Sequence, residues 1–407
     1  MFKKYLDEFV KSSFILFLAM NFFAFLNYFF HFVSARLLEP VNYGILATLM
    51  SIVYIFNVPN EIIQTIVSRY STKFNLKKDD GKIKDLLIKS IKIFSIIGSL
   101  CFLIFVIFSP MIGDFLSIDK KLLMLTGVTI IAYFLVPITR GVLQGTKKFN
   151  SLGITYLSEG FIKVGLVVLL ILIGWSVYGA MSAIILSILI SFAFSFIFLK
   201  KILKIRRKKE RIKGIYSYSF PVLISISSLM IILGMDIILA KRFFQEEIVG
   251  QYAVISMLSR IIFFGTWPIT KAVFPLMSEK FDEKKDSRGV LRKSFFITLL
   301  ISLCILLLYF LIPKTTITIL FGRQYISVAN LLIYCSIATT LLSLTNIFVL
   351  YNLSINREKR NYFIIFFVLS QIVLLFLFHS TLFQFILVYI INNLILFLTM
   401  MLISLRR

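Results

Sequence analysis

Long charge-free apolar runs alternate along this chain with short polar gaps, and their lengths predict helices that cross a bilayer. Uninterrupted runs cover residues 12–35, 40–60, 93–113, 122–139, 214–235 and 294–313. Each is close to the ~20 residues that an α-helix needs to span about 30 Å of hydrocarbon. Longer runs need a break. Residues 164–199 break at Gly174-Trp175-Ser176-Val177-Tyr178-Gly179, and residues 361–405 break near His379-Ser380-Thr381. Residues 324–356 hold one helix with a polar tail, while 149–173 and 248–278 are spans that carry internal charges. The pattern predicts an all-α integral membrane protein of twelve transmembrane helices.

The gaps divide into two sets. One set is rich in cations: Lys3, Lys4 and Lys11; Arg69 to Lys89; Arg140, Lys147 and Lys148; Lys200 to Lys213; Lys280 to Lys293; Arg357 to Arg360; Arg406 and Arg407. The alternate gaps hold only Arg36, Lys120, Lys121, Lys241, Arg242, Lys314 and Arg323. Lys and Arg are retained on the cytoplasmic side of a membrane, so both termini are expected to be cytoplasmic. The densest basic stretch falls at the midpoint, with six spans before it and six after. This predicts a six-helix lobe at 1–199, a basic cytoplasmic linker at 200–213 and a second six-helix lobe at 214–407. A shift of 206 residues aligns Arg36 with Arg242, Gly44 with Gly250 and Ala47 with Ala253, as a repeat would.

Composition narrows the class. Of 407 residues, 59% are hydrophobic and 44 are Phe, more apolar surface than a water-soluble core can absorb. The net charge of +25 does not point to nucleic acid, because the cations sit in short loops and no soluble module presents them. They set orientation and meet anionic headgroups of membrane lipids. Residues 12–35 read as a first span, too long for a signal-peptide core. The three cysteines lie in apolar runs, and His31 and His379 are the only histidines, so neither a metal site nor a cofactor is expected. Gly141 to Lys147 has the wrong spacing for a phosphate-cradling loop; Gly141 and Gly145 suit close helix packing instead. With no loop longer than a few dozen residues, no enzymatic domain is expected.

Charges left inside the spans are the candidates for function, since each costs about 2.5–3.5 kcal/mol at mid-bilayer. They are Glu61, Glu159, Lys163, Asp236, Arg260 and Lys271. Glu159 and Lys163, four apart, share one helix face and read either as a structural ion pair or as cavity groups. Lys271 reads as a cation snorkelling to the surface or as a substrate contact. Arg260 lies deep in the eighth span without an acid three or four residues away, and is expected to face a cavity. Glu61 sits among Asn57, Asn60 and Gln64, with Pro59 breaking the helix. That cluster reads as a cation or sugar-hydroxyl site or as interhelical hydrogen bonding.

Ser34-Ala35-Arg36-Leu37-Leu38-Glu39-Pro40-Val41-Asn42-Tyr43-Gly44 resembles the ARLLGP-x-x-YG signature of polysaccharide (O-antigen, Wzx-type) flippases in the multidrug/oligosaccharidyl-lipid/polysaccharide (MOP) exporter superfamily. Ile248-Val249-Gly250-Gln251-Tyr252 resembles its second-half counterpart, and Val142-Leu143-Gln144-Gly145 with Lys147-Lys148-Phe149 resembles the loop after the fourth helix. Glu39 departs from the pattern, standing where the family usually has Gly. The resemblance implies a flippase of the bacterial inner membrane, not an enzyme. It would move undecaprenyl-pyrophosphate-linked oligosaccharide units for O-antigen or capsule by alternating access. It also implies a cationic cavity, matched by Arg260 and Lys163, with Arg36 and Lys271 as further anion contacts. Glu61, Asn57, Asn60, Asp236 and Glu159 would then be coupling-ion or sugar contacts. Its partners would be the lipid-linked substrate, membrane lipids, a polysaccharide polymerase and a chain-length regulator, with no nucleic acid. A cation-coupled drug exporter, a membrane polysaccharide polymerase or ligase, and a flippase for peptidoglycan precursor remain as alternatives.

Overall fold

A computed structural model describes residues 2–208, 219–282 and 286–406; the side chains of 2–14, 219–220, 270–272, 275, 279 and 282 are outside the description. Among the described residues, the ordered elements are all helical. They are α1 (Phe2–Leu37), α2 (Pro40–Phe56), α3 (Val58–Leu76), α4 (Asp80–Leu116), α5 (Lys120–Gly145), α6 (Phe149–Leu170), α7 (Ser176–Lys204), α8 (Ser219–Phe243), α9 (Glu246–Asp282), α10 (Arg288–Leu311), α11 (Pro313–Leu320), α12 (Leu332–Ser354), α13 (Phe363–Leu377) and α14 (Leu382–Leu405). Eleven stretches among the described residues are long and apolar enough to cross a membrane, and one of them, Phe149–Lys204, is 56 residues long. At 1.5 Å per residue that stretch would measure about 84 Å, nearly three bilayer cores. It is two crossings: Gly174 at φ +93°, inside the single π-turn Ile171–Trp175, and Ser176 at φ +46°, just after it, reverse the chain. The molecule is a multi-pass membrane protein, with twelve spans among the described residues.

The second span is interrupted at Asn57. Pro59 occupies the first turn of α3, where its missing N–H costs nothing, and α3 begins afresh there. Glu39 lies outside the left-handed region, so the chain enters α2 without needing glycine at that position. The expected single helix at 324–356 is instead a tight 3₁₀ segment, Arg323–Leu331, followed by α12, and it is preceded by the short α11.

The helices cluster into two units. One contains α1 and α3–α7; the other contains Tyr43–Ile55 of α2 together with α8–α14. In the first unit α5 packs on α3 and α4, and α6 packs on α1 and α7. Gly145 makes the α3–α5 approach possible: a Cβ there would lie 2.5 Å from Ser71 Cβ and 2.9 Å from the Thr72 amide nitrogen. The chain leaving α7 is held against the start of α4. Arg207 and Lys89 grip the buried Asp85 at 2.6 and 2.7 Å, and Lys84 donates to the Leu203 and Ile205 carbonyls at 2.6 and 2.9 Å. Residues 200–204 of the expected linker therefore belong to α7, 205–208 dock on α4, and 209–213 lie outside the described residues.

In the second unit α12 packs on α9, α10 and α14. Tyr43 is fully buried edge-on to Phe321 and Tyr325, with ring centroids 6.0 Å away in each case. Gly44 meets Gly250, the residue that the 206-residue shift aligns with it; a Cβ on Gly44 would be 2.9 Å from the Gly250 amide nitrogen.

Candidate functional site

Among the described residues, each unit holds a cluster of charges sealed between its helices. In the first, Arg140 on α5, Glu159 and Lys163 on α6 are 3%, 4% and 5% exposed. Glu159 lies ten residues into α6, about 15 Å from its start, well inside the membrane-spanning helix. The Arg140 guanidinium bonds Glu159 Oε2 at 2.7 Å and also reaches Ser191 Oγ at 3.2 Å and the Thr155 carbonyl at 3.3 Å. Lys163 stands farther from the same carboxylate, 3.7 Å from Oε1, and donates a 2.6 Å hydrogen bond to Asn27 Oδ1 on α1. Two cations thus share one carboxylate, leaving a formal surplus of one positive charge. Both cations also lie over aromatic rings: Arg140 is 4.0 Å from the Tyr156 centroid and Lys163 is 5.6 Å from that of Phe23.

The cluster in the second unit is neutral. Arg260 on α9, 1% exposed, bonds Asp236 Oδ1 on α8 at 2.8 Å and donates to Ser51 Oγ at 3.3 Å. The other carboxylate oxygen of Asp236 accepts from Tyr252 at 2.9 Å and Ser256 at 2.6 Å. Tyr54 lies beneath the guanidinium at 5.7 Å. The expectation of an open, cavity-facing Arg260 therefore differs from what this conformation contains: the side chain is sealed and has a carboxylate partner from its own unit. The reason is tertiary. Asp236 is 24 residues away on another helix, outside any spacing that a single-helix argument inspects.

The remaining sequence candidates are distributed. Glu159 and Lys163 come together, but Arg140 is the nearer partner of Glu159. The charge pattern puts Arg140 in a cytoplasmic gap, but α5 runs on to Gly145, which carries Arg140 inside the bundle. The signal for this was the close-packing Gly141 that follows it. Arg36 is exposed in the last turn of α1. Asn57 and Asn60 bond each other at 2.8 Å at the start of α3, and Glu61 beside them is exposed. The side chain of Lys271 lies outside the described residues. No cluster of three or more His, Cys, Asp or Glu side chains that could hold a metal ion is found among the described residues.

Comparison with known proteins adds family and fold. The profile of a family described as polysaccharide biosynthesis protein matches residues 33–330. An uncharacterized membrane protein of Methanocaldococcus jannaschii is 25% identical over 304 residues, 68% of this chain and 70% of that protein. Among solved structures, an inward-facing multidrug resistance MATE family transporter of the MOP superfamily superposes with a TM-score of 0.72 at 14% identity, covering 93% of this chain and 94% of the other. The lipid II flippase MurJ in an inward closed conformation gives a TM-score of 0.69 at 17% identity, covering 95% and 86%. These likenesses agree with the twelve-helix architecture and with the superfamily that the Ser34 to Gly44 motif resembles. The chain belongs to the polysaccharide biosynthesis protein family and is built on the fold of MOP-superfamily transporters.

Proposed function

We propose that the protein is a flippase that carries lipid-linked oligosaccharide units across a bacterial inner membrane by alternating access, with both termini cytoplasmic. The carrier we assign is undecaprenyl pyrophosphate, and the product is a surface polysaccharide such as O-antigen or capsule. The observation that carries this reading is the surplus buried cation in the first unit. A phosphorylated headgroup cannot cross hydrocarbon without compensation. Arg140 and Lys163, sharing Glu159 between them, have one positive charge to offer an anion, and Lys binds phosphate as a point charge. Arg260 belongs to the same proposal in another way. Asp236 acts as an internal counter-ion that a pyrophosphate would displace, since guanidinium binds either anion bidentately. Arg36 and Lys271 are proposed as further anion contacts, and Asn57, Asn60 and Glu61 as contacts for sugar hydroxyls. A polysaccharide polymerase and chain-length regulator would take the product onward.

An inside-negative potential favours outward movement of an anion by about 2.3 kcal/mol per charge per 100 mV, enough to drive the step without ATP. A drug exporter, the alternative reading that the multidrug resistance MATE neighbour raises, would need a buried carboxylate to attract a cationic substrate. Here Glu159 and Asp236 are both already neutralised by cations of the protein itself. The test is transport by the purified protein in liposomes. A pyrophosphate-linked oligosaccharide should cross at least tenfold faster than in empty vesicles, and a cationic dye should not. Dye movement without glycan movement would select the exporter reading instead.

A further inference from the structure

The face of the first unit in front of its buried cations is polar and accessible, which is costly for helices that cross hydrocarbon. Asn57, at the N-cap of α3, and Asn60, Glu61, Gln64, Thr65 and Ser68 within it recur at helical spacing, all half-buried or exposed. An amide or hydroxyl stripe at that depth must border water or a hydrophilic ligand, not lipid. The stripe continues onto neighbouring helices through side-chain bonds. Gln64 donates to Gln144 Oε1 on α5 at 3.0 Å, and the Tyr156 hydroxyl on α6 donates to Gln64 Oε1 at 3.0 Å. The half-buried Tyr156 ring is held over Arg140 and lies 5.2 Å from the half-buried ring of Phe23 on α1.

We infer that Gln64, Gln144, Tyr156 and Phe23 form a glycan-recognition wall that reads the sugar part of the cargo, while the cations behind it serve the phosphates. This rests on the flippase reading and assigns it a specificity site. The chemistry suits a carbohydrate. Each glutamine amide carries both a donor and an acceptor, matching the paired hydroxyls of a pyranose ring, and a fixed phenol carries both as well. An aromatic ring offers an apolar face to the C–H side of a sugar. Its rigidity limits the entropy lost on binding. The cation under Tyr156 and the hydrogen bond to Gln64 fix the ring and amide in place before the ligand arrives, which is the preorganisation that a specificity site needs.

The test uses the full-length protein in liposomes with two cargoes: a lipid pyrophosphate bearing an oligosaccharide, and the same lipid pyrophosphate without sugar. Gln64→Leu should lower transport of the glycan-bearing cargo about tenfold and leave the sugar-free lipid unchanged. Tyr156→Phe, which keeps the ring over Arg140, should give a smaller loss of the same selectivity and guards against misfolding as the cause. Equal losses for both cargoes, or none for either, would overturn the wall. If the wild-type protein moves neither cargo, it is the flippase reading that fails.

Discussion

Glu159 and Lys163 are neighbours in one ion pair, yet their removal should have very unequal consequences for stability. At an effective dielectric of about 20, charges 2.7 Å apart attract by about 6 kcal/mol and charges 3.7 Å apart by about 4.5 kcal/mol, most of it offset by desolvation. Glu159→Gln abolishes both attractions and leaves two buried cations facing each other. Breaking a buried pair in this way costs about 3–5 kcal/mol. Lys163→Met removes the surplus cation and leaves the shorter Arg140–Glu159 pair intact and neutral, with a long apolar chain filling the space. Its stability cost should stay within about 1 kcal/mol. The difference of at least about 2 kcal/mol corresponds to roughly a 30-fold change in the unfolding equilibrium. Denaturant titration of the two purified variants in detergent, followed by tryptophan fluorescence, measures it. Equal destabilisation, or greater loss in Lys163→Met, would show that Lys163 is the structural partner of Glu159 and that no cation is in surplus.

Three further outcomes follow from the same geometry. Asp236→Asn should destabilise by about 3–5 kcal/mol by leaving Arg260 buried without its counter-ion, and Asp236→Asn combined with Arg260→Met should recover most of that loss in the same titration. Gly145→Val should cost more than about 2 kcal/mol, because its first side-chain carbon already meets α3; low yield of folded protein on size-exclusion chromatography is the readout. In the loop before α5, the hydrogen bond from Tyr178, with help from the Lys121 amide, holds the Asp119 carboxyl below its ordinary range. The small stabilisation it gives is therefore present above the ordinary carboxylate pKa and is lost as pH falls through the lowered one. Tyr178→Phe should move the Asp119 titration upward toward the usual value, seen by carboxyl NMR; an unmoved titration would remove Tyr178 as the cause.

What the sequence made legible was whatever is encoded locally. Span length, the break at Pro59, the reversal at Gly174 and the close-packing role of Gly145 depend on residues within a turn or two of each other. The Glu159–Lys163 adjacency follows from a four-residue spacing. The rest depends on partners brought together by packing. Arg140 reaches Glu159 from another helix, and Asp236 seals Arg260 across 24 residues. Hydropathy could not place Tyr43–Ile55 with α8–α14, because what decides it is the fit of Gly44 on Gly250 and of Tyr43 among Phe321 and Tyr325. The polar stripe on α3 was visible as a cluster around Glu61, but its continuation to Gln144 and Tyr156 needed the side-chain bonds.

The surplus cation is most directly tested by comparing Lys163→Met with the wild-type protein, reconstituted at matched stability, in transport of a pyrophosphate-linked oligosaccharide under an inside-negative potential. The account predicts a rate at least about tenfold lower, equivalent to about 1.4 kcal/mol of lost anion binding. A variant that transports at the wild-type rate would contradict it.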